Sequence, residues 1–296
     1  LGSAQGAGFT TGQIAALSLA QVAVLTSDEI SGWDSTQVGA LSAKQIAALN
    51  LTQLSSAQAG MLTTAQISGL TSTQVASLST DQIAAWSTAQ IGALSSAGVA
   101  GLETADMATF DAADIAALST KALAGLATAN IAALGSTQGA GFTSGQIAAL
   151  STSQVATLTS DEISGWSSAQ IAALSTKQIT SLALAQLSST QAAMLTTGQI
   201  GALSNTQVAG LTTAQMAGWD STQVGALTAK QFASLDITQL SSAQAGMLKT
   251  SQIAVLTSTQ AAALSTDQVA SLTTAQIGAL TSTALAALGT DDIATF

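Results

Sequence analysis

The chain has 296 residues, with five Lys or Arg against fifteen Asp or Glu and a formal charge of −10. This charge has the wrong sign for binding nucleic acid or anionic lipid by counterion release, so neither partner is expected. His, Cys and Tyr are absent, which excludes disulfides and the usual zinc, haem, Cys-nucleophile and Ser-His-Asp sites. No window reaches the roughly 18 apolar residues of a membrane-spanning helix, so no transmembrane segment is expected.

From the start of the chain, a large apolar residue recurs at every eighth position, as at Leu17, Leu25, Trp33 and Leu41. Each opens an octad of the form L-[ST]-x-x-Q-[IV]-x-x. Thirty-five octads and three five-residue units account for residues 1–295, and Phe296 opens a further unit. We therefore predict one repeat domain, 1–296, which is a segment of a longer array.

The octad has the pattern of a helix start. Position 2 is Ser, Thr or Asp in 29 of the 35 octads, and position 5 is Gln in 26. This is the spacing of a capping box, and the apolar residues at positions 1 and 6 then form a hydrophobic staple. All fifteen acids lie at positions 2, 4 or 5, where a helix N-terminus favours anions. Glycines at position 8, such as Gly101 and Gly218, are expected where a helix end needs a permissive backbone.

We predict an all-α solenoid of very short capped helices, one per octad, with positions 1 and 6 inside and positions 3 and 4 facing water. One long helix is disfavoured, because equivalent positions would drift by about 80° per octad. A parallel β-solenoid is the alternative, although positions 1 and 6 have opposite parity along a strand. Two octads per coil is the expected stacking.

Three five-residue units interrupt the pattern, at 49–53, 182–186 and 235–239. Each lacks positions 6 to 8 and has an apolar residue at position 3; a Met follows in the next octad, and a Trp precedes the unit by 16 residues. These coordinated changes predict bends in the array, and the Trp side chains are expected to fill the core rather than form a carbohydrate platform. The bend candidates are Trp33, Leu49, Leu51, Leu54, Met61, Trp166, Leu182, Leu184, Leu187, Met194, Trp219, Leu235, Ile237, Leu240 and Met247.

Longer duplications overlie the octad. Residues 1–86 are similar to 134–219, and residues 33–110 are similar to 219–296. Growth by copying suits a spacer, whereas a catalytic site needs one unrepeated constellation. The paired acids, such as Asp28 with Glu29, are interpreted as helix caps rather than calcium ligands. We predict no enzyme activity, no catalytic residue, no metal and no cofactor.

Runs such as Leu62-Thr-Thr-Ala-Gln-Ile-Ser-Gly-Leu70 and Leu272-Thr-Thr-Ala-Gln-Ile-Gly-Ala-Leu280 resemble the L-T-T-A-Q-I-A-A octads of very large secreted or surface proteins of proteobacteria, which are often labelled adhesins or haem-utilisation proteins. The resemblance covers essentially the whole chain and implies an extracellular or cell-surface location with a scaffold role. The expected function is a non-enzymatic structural segment of a filament, surface layer or adhesin stalk, with another copy of the chain as a candidate partner. The alternative is an ice- or polysaccharide-binding module that uses the Ser/Thr rows at positions 2 and 3.

Overall fold

The computed structural model describes residues 2–295, so Leu1 and Phe296, the two ends of the predicted array, lie outside the described residues. The described residues form helices and no strand, so the all-α prediction is confirmed and the β-solenoid alternative is wrong. Two compact units are present, Leu1–Thr157 and Leu158–Phe296.

Each octad forms one helix of four to six residues, and each five-residue unit forms a 3-10 helix, labelled η. In the first unit the elements are α1 (Ser3–Gly6), α2 (Thr11–Ala15), α3 (Leu19–Ala23), α4 (Ser27–Ile30), α5 (Ser35–Gly39), α6 (Ala43–Ala48), η1 (Leu51–Gln53), α7 (Ser56–Ala59), α8 (Thr64–Ser68), α9 (Ser72–Ser77), α10 (Thr80–Ala84), α11 (Thr88–Gly92), α12 (Ser96–Val99), α13 (Thr104–Met107), α14 (Ala112–Ala117), α15 (Thr120–Leu123), α16 (Thr128–Ile131), α17 (Ser136–Ala140), α18 (Ser144–Ala149) and α19 (Thr152–Ala156). In the second unit they are α20 (Ser160–Ile163), α21 (Ser168–Ala173), α22 (Thr176–Ile179), η2 (Leu184–Gln186), α23 (Ser189–Ala192), α24 (Thr197–Ala202), α25 (Asn205–Ala209), α26 (Thr213–Met216), α27 (Ser221–Val224), α28 (Ala229–Phe232), η3 (Ile237–Gln239), α29 (Ser242–Gly246), α30 (Thr250–Ile253), α31 (Ser258–Ala262), α32 (Thr266–Ala270), α33 (Thr274–Ile277), α34 (Ser282–Leu285) and α35 (Thr290–Ile293).

Within each unit, the helices that pack most closely on one another lie three elements apart along the chain. α10, for example, packs on α7 and α13, and α11 packs on α8 and α14. In the second unit α29 packs on α32, and α28 packs on α30 across the intervening η3. Three elements therefore make one coil, and the expectation of two octads per coil is wrong.

The core of each unit contains the residues at positions 1 and 6, as the staple predicted. In α10 the position-6 residue Ile83 is fully buried, and Trp86, which opens the next octad, is 5% exposed. An isolated helix of five residues would not persist in water, so contacts with neighbouring coils must stabilise each helix. The octad is a unit of sequence, and the coil of three octads is the unit of packing.

The glycines at position 8 have another role than the one expected. No residue among those described has a positive φ, so none of these glycines serves as a left-handed cap. A Cβ at Gly101 would instead lie 2.2 Å from the carbonyl oxygen of Ser72, and one at Gly125 would lie 2.1 Å from that of Ser96. These glycines allow the backbones of successive coils to approach each other closely.

Candidate functional site

The predicted capping box is present at most helix starts. In α10 the N-cap is Ser79, which has an extended backbone (φ −76°, ψ 155°) and directly precedes the first helical residue. The Gln82 backbone N–H donates to the Ser79 hydroxyl (3.3 Å), and the Ser79 backbone N–H donates to Gln82 Oε1 (2.8 Å). Two N–H groups that a helix start leaves unpaired are thus satisfied within one octad.

The same glutamine also binds the coil before it. Gln82 Nε2 donates to the carbonyl oxygens of Leu51 (3.0 Å) and Leu54 (2.7 Å), at the corner between two elements of the preceding coil. In the second unit Gln231 Nε2 donates to the carbonyl oxygens of Ile200 (2.9 Å) and Leu203 (2.7 Å) in the same way. We call each such contact a glutamine bridge. It joins a helix N-terminus of one coil to backbone carbonyls of another.

These glutamines are core residues, and the octad pattern did not predict that they are buried. Gln82 is 5% exposed and Gln231 is 3% exposed. A buried amide must have partners for its oxygen and for its nitrogen, and the bridge supplies both. The most regular polar residue of the octad is therefore used by the fold, and it is not free to bind a ligand.

The four Trp side chains are buried, at 3% to 5% exposure, in agreement with core filling. The indole N–H of Trp33 donates to the Gly6 carbonyl oxygen (3.1 Å), and that of Trp219 donates to the Ala192 carbonyl oxygen (3.0 Å). Each acceptor lies 27 residues earlier, in the preceding coil. Trp86 differs, because its indole nitrogen is buried without a hydrogen-bond partner.

The three five-residue units place their apolar position-3 residue in the core. Leu51 and Ile237 are each 1% exposed and Leu184 is 5% exposed, so these residues replace the missing position 6. The leucines that flank the units are also buried, and they are Leu49, Leu54, Leu182, Leu187, Leu235 and Leu240. The associated methionines lie further out: Met61 and Met194 are half-buried, and Met247 is exposed. That these sets bend the array stays a prediction.

The acids cap helices. Asp34 accepts hydrogen bonds from the hydroxyl and the backbone N–H of Thr36 and from the backbone N–H of Gln37, and the Thr36 hydroxyl bond is the main cause of its lowered pKa. Asp236 at the start of η3 has the same contacts with Thr238, which lower its pKa. The backbone N–H and hydroxyl of Thr26 likewise lower the pKa of Glu29. Across residues 2–295 no three carboxylates lie close enough together to hold a metal ion.

Two grooves show what concave surface the first unit offers. One of 620 Å³ lies between α9 and the chain at residues 100–103, and its polar lining includes Ser72, Thr73, Ser77 and Glu103. Another of 300 Å³ is lined by Phe9, Leu17, Gln21, Val24, Leu25 and Glu29. Neither brings together a nucleophile, a base and an oxyanion donor. Over the described part of the chain, no helix has the length and apolar character needed to cross a membrane.

Stacked octads joined by glutamine bridges define a repeat protein with a helical, solenoid-like packing. Comparison with protein families supports this class, since residues 71–104, 99–136 and 107–144 match the ALTTAQ repeat in three overlapping copies. No curated protein matches the chain. The repeat character that the sequence predicted is confirmed, whereas the proteobacterial, adhesin-like context stays a prediction.

Proposed function

We propose that the chain is a non-enzymatic structural segment of an extracellular filament, surface layer or adhesin stalk. The observation that carries this proposal is the glutamine bridge. Most octads use their hydroxyl, their amide and their two large apolar residues to bind their own helix start and the neighbouring coil. A sequence used in this way extends a stack of any length, and most of the position-2 hydroxyls and position-5 amides are already engaged.

The purified chain tests the proposal by negative-stain electron microscopy. A stalk segment predicts elongated particles of uniform width that lengthen when whole coils are added by duplicating 24 residues. Compact, globular particles whose dimensions do not grow in one direction would contradict it.

One observation favours the second candidate, a module that binds ice or a polysaccharide. In the second unit, α22, α24, α27, α29, α32 and α35 are successive third elements, and each has an exposed Ser or Thr at position 3. The residues of this hydroxyl column are Thr176, Thr197, Ser221, Ser242, Thr266 and Thr290. Position-2 hydroxyls are engaged as caps, so this column is the surface that such a ligand would contact.

Two deletions separate the candidates. Deleting the octad 195–202 moves every later octad by one element within the coil, which brings Asn205 and Ala229 into the hydroxyl column. Deleting the whole coil 195–218 removes Thr197 but keeps the other hydroxyls in one continuous column, and it is the matched control. A binding module predicts thermal hysteresis or glycan binding that survives only the coil deletion. A structural segment predicts neither activity, with helical circular-dichroism spectra for both variants.

A further inference from the structure

Four consecutive octads in the first unit lack an amide side chain that could form the bridge. At position 5 they have Gly98, Asp106, Asp114 and Ala122. The octads before and after keep a bridge: Gln90 donates to the Leu62 carbonyl oxygen, and the shorter amide of Asn130 donates to that of Leu102 (2.8 Å). Gly, Ala and ionised Asp side chains have no N–H group to donate, so the series of bridges stops here.

Three of the missing bridges, at Gly98, Asp106 and Asp114, fall at one plane of the stack, and the fourth, at Ala122, falls at the next plane. By the spacing of the other bridges, the unbridged carbonyls are those of Leu70, Leu78, Trp86 and Leu94. Within the described chain none of them accepts a side-chain hydrogen bond. Between the coil of residues 70–93 and the coil of residues 94–117, one side-chain hydrogen bond remains in the described chain, from the Thr80 hydroxyl to Asp106 Oδ1 (2.9 Å). A backbone bond from the Leu94 N–H to the Ile91 carbonyl oxygen (3.1 Å) crosses where the chain passes from one coil to the next.

Two further features weaken the same region. The 620 Å³ groove opens at this plane, because Ser72 and Ser77 lie on one coil and Gly101 and Glu103 lie on the next. On its other side the coil of residues 70–93 lacks the indole bond to the preceding coil, since the Trp86 nitrogen has no partner. Trp33 and Trp219 make this bond at the equivalent place.

We propose that the plane between residues 70–93 and 94–117 is a built-in opening joint, at which the first unit separates before any neighbouring plane. Apolar packing keeps the joint closed in the ground state, as Val99, Met107 and Ile115 are fully buried. Local opening follows the stability of each cooperative segment, and a segment without its polar bridges opens at lower free energy. The joint does not depend on an extracellular role, but in a stalk it would set where extension under load begins.

Hydrogen–deuterium exchange read by mass spectrometry tests the joint on the full chain. Amides of residues 94–117 are expected to exchange at least about tenfold faster than those of residues 41–69, which make regular bridges. The variant Asp106→Gln/Asp114→Gln restores two of the three missing bridges at the joint and is expected to remove most of this difference. Gly98 is left unchanged, because a Cβ there would lie 3.0 Å from Leu94 Cδ2.

The matched control removes two bridges at another plane of the first unit, with Gln58→Ala/Gln66→Ala. It is expected to raise exchange in the coils around residues 33–69 to the level of residues 94–117 in the parent chain. The joint is refuted if residues 94–117 exchange no faster than residues 41–69 in the parent chain, or if a folded bridge-restoring variant leaves their ratio unchanged.

Discussion

Replacement of a bridging glutamine by alanine should lower the free energy of unfolding by more than the loss of one hydrogen bond would. Gln82→Ala removes the acceptor for the Ser79 N–H and the donor to the Leu51 and Leu54 carbonyls, at 2.8, 3.0 and 2.7 Å. Each hydrogen bond contributes about 0.5–1.5 kcal/mol net, so the three together predict a loss of about 1.5–4.5 kcal/mol.

Gln21 is the matched control, because it makes the cap without the bridge. Its Oε1 accepts from the Ser18 N–H (2.8 Å) and its side chain is exposed. Gln21→Ala should therefore cost about 0.5–1.5 kcal/mol, the contribution of one bond. Urea unfolding, followed by the fluorescence of Trp33 and Trp86 in a chain with Trp166→Phe and Trp219→Phe, measures both variants in the first unit.

Gln82→Glu separates the two functions of the amide. The new carboxyl group keeps the cap but faces two carbonyl oxygens, so burial and the lack of a donor should raise its folded pKa above the ordinary value of about 4.3. A raised folded pKa contributes stability that is fully present below the unfolded pKa and is lost as pH rises through the folded pKa. Stability of this variant should therefore fall, relative to the parent chain, as pH rises above about 4. The bridge argument fails if Gln82→Ala costs no more than Gln21→Ala and Gln82→Glu shows no such pH dependence.

Three further predictions follow from single contacts. Trp219→Phe should lower the free energy of unfolding by about 1 kcal/mol more than Trp86→Phe, because only Trp219 loses a hydrogen bond. Urea unfolding read by circular dichroism measures both variants, and equal losses would contradict this. Gly125→Ala should destabilise the fold by at least about 2 kcal/mol, because its Cβ would lie 2.1 Å from the Ser96 carbonyl oxygen. Gly12→Ala should stabilise the fold by about 1 kcal/mol, because a Cβ there would meet no atom within 4 Å. Because the folded pKa of Asp34 is lowered, its contribution is present above its unfolded pKa of about 3.9 and is lost as pH falls through the folded pKa. The neutral cap in Asp34→Ser should make the acid limb of unfolding shallower, and an unchanged limb would argue against this.

The capping box and the staple were predictable because both are local. Ser79 and Gln82 are three residues apart, and that spacing determines their contact before any tertiary structure forms. The number of octads per coil was not predictable in this way, because an eight-residue repeat specifies each helix and leaves the turn between helices undetermined. A one-element error in that number changes every long-range neighbour, including the acceptors of each glutamine amide.

One signal in the sequence could have revealed the bridge. A capping box at a helix N-terminus is satisfied by Glu as well as by Gln, and the macrodipole favours the charged residue. Yet position 5 is Gln in 26 octads and acidic in five. An excess of the neutral amide over the acid indicates that the nitrogen is needed as a donor, and a buried donor needs an acceptor in another part of the chain.

Duplicated octads within the second unit occupy different places in the three-element coil. The two duplications together relate residues 166–219 to 219–272, an offset of 53 residues that equals six octads and one five-residue unit, or seven elements. Seven is not a multiple of three, so a copied octad changes its place in the coil. Accordingly α22 packs on α24, whereas its copy α28 packs on α25 and α30, in a different stack. A surface that binds through one side would be disrupted by such copying, but a stack held by glutamine bridges accepts the same octad on any side. This internal history therefore favours the structural segment over the hydroxyl column.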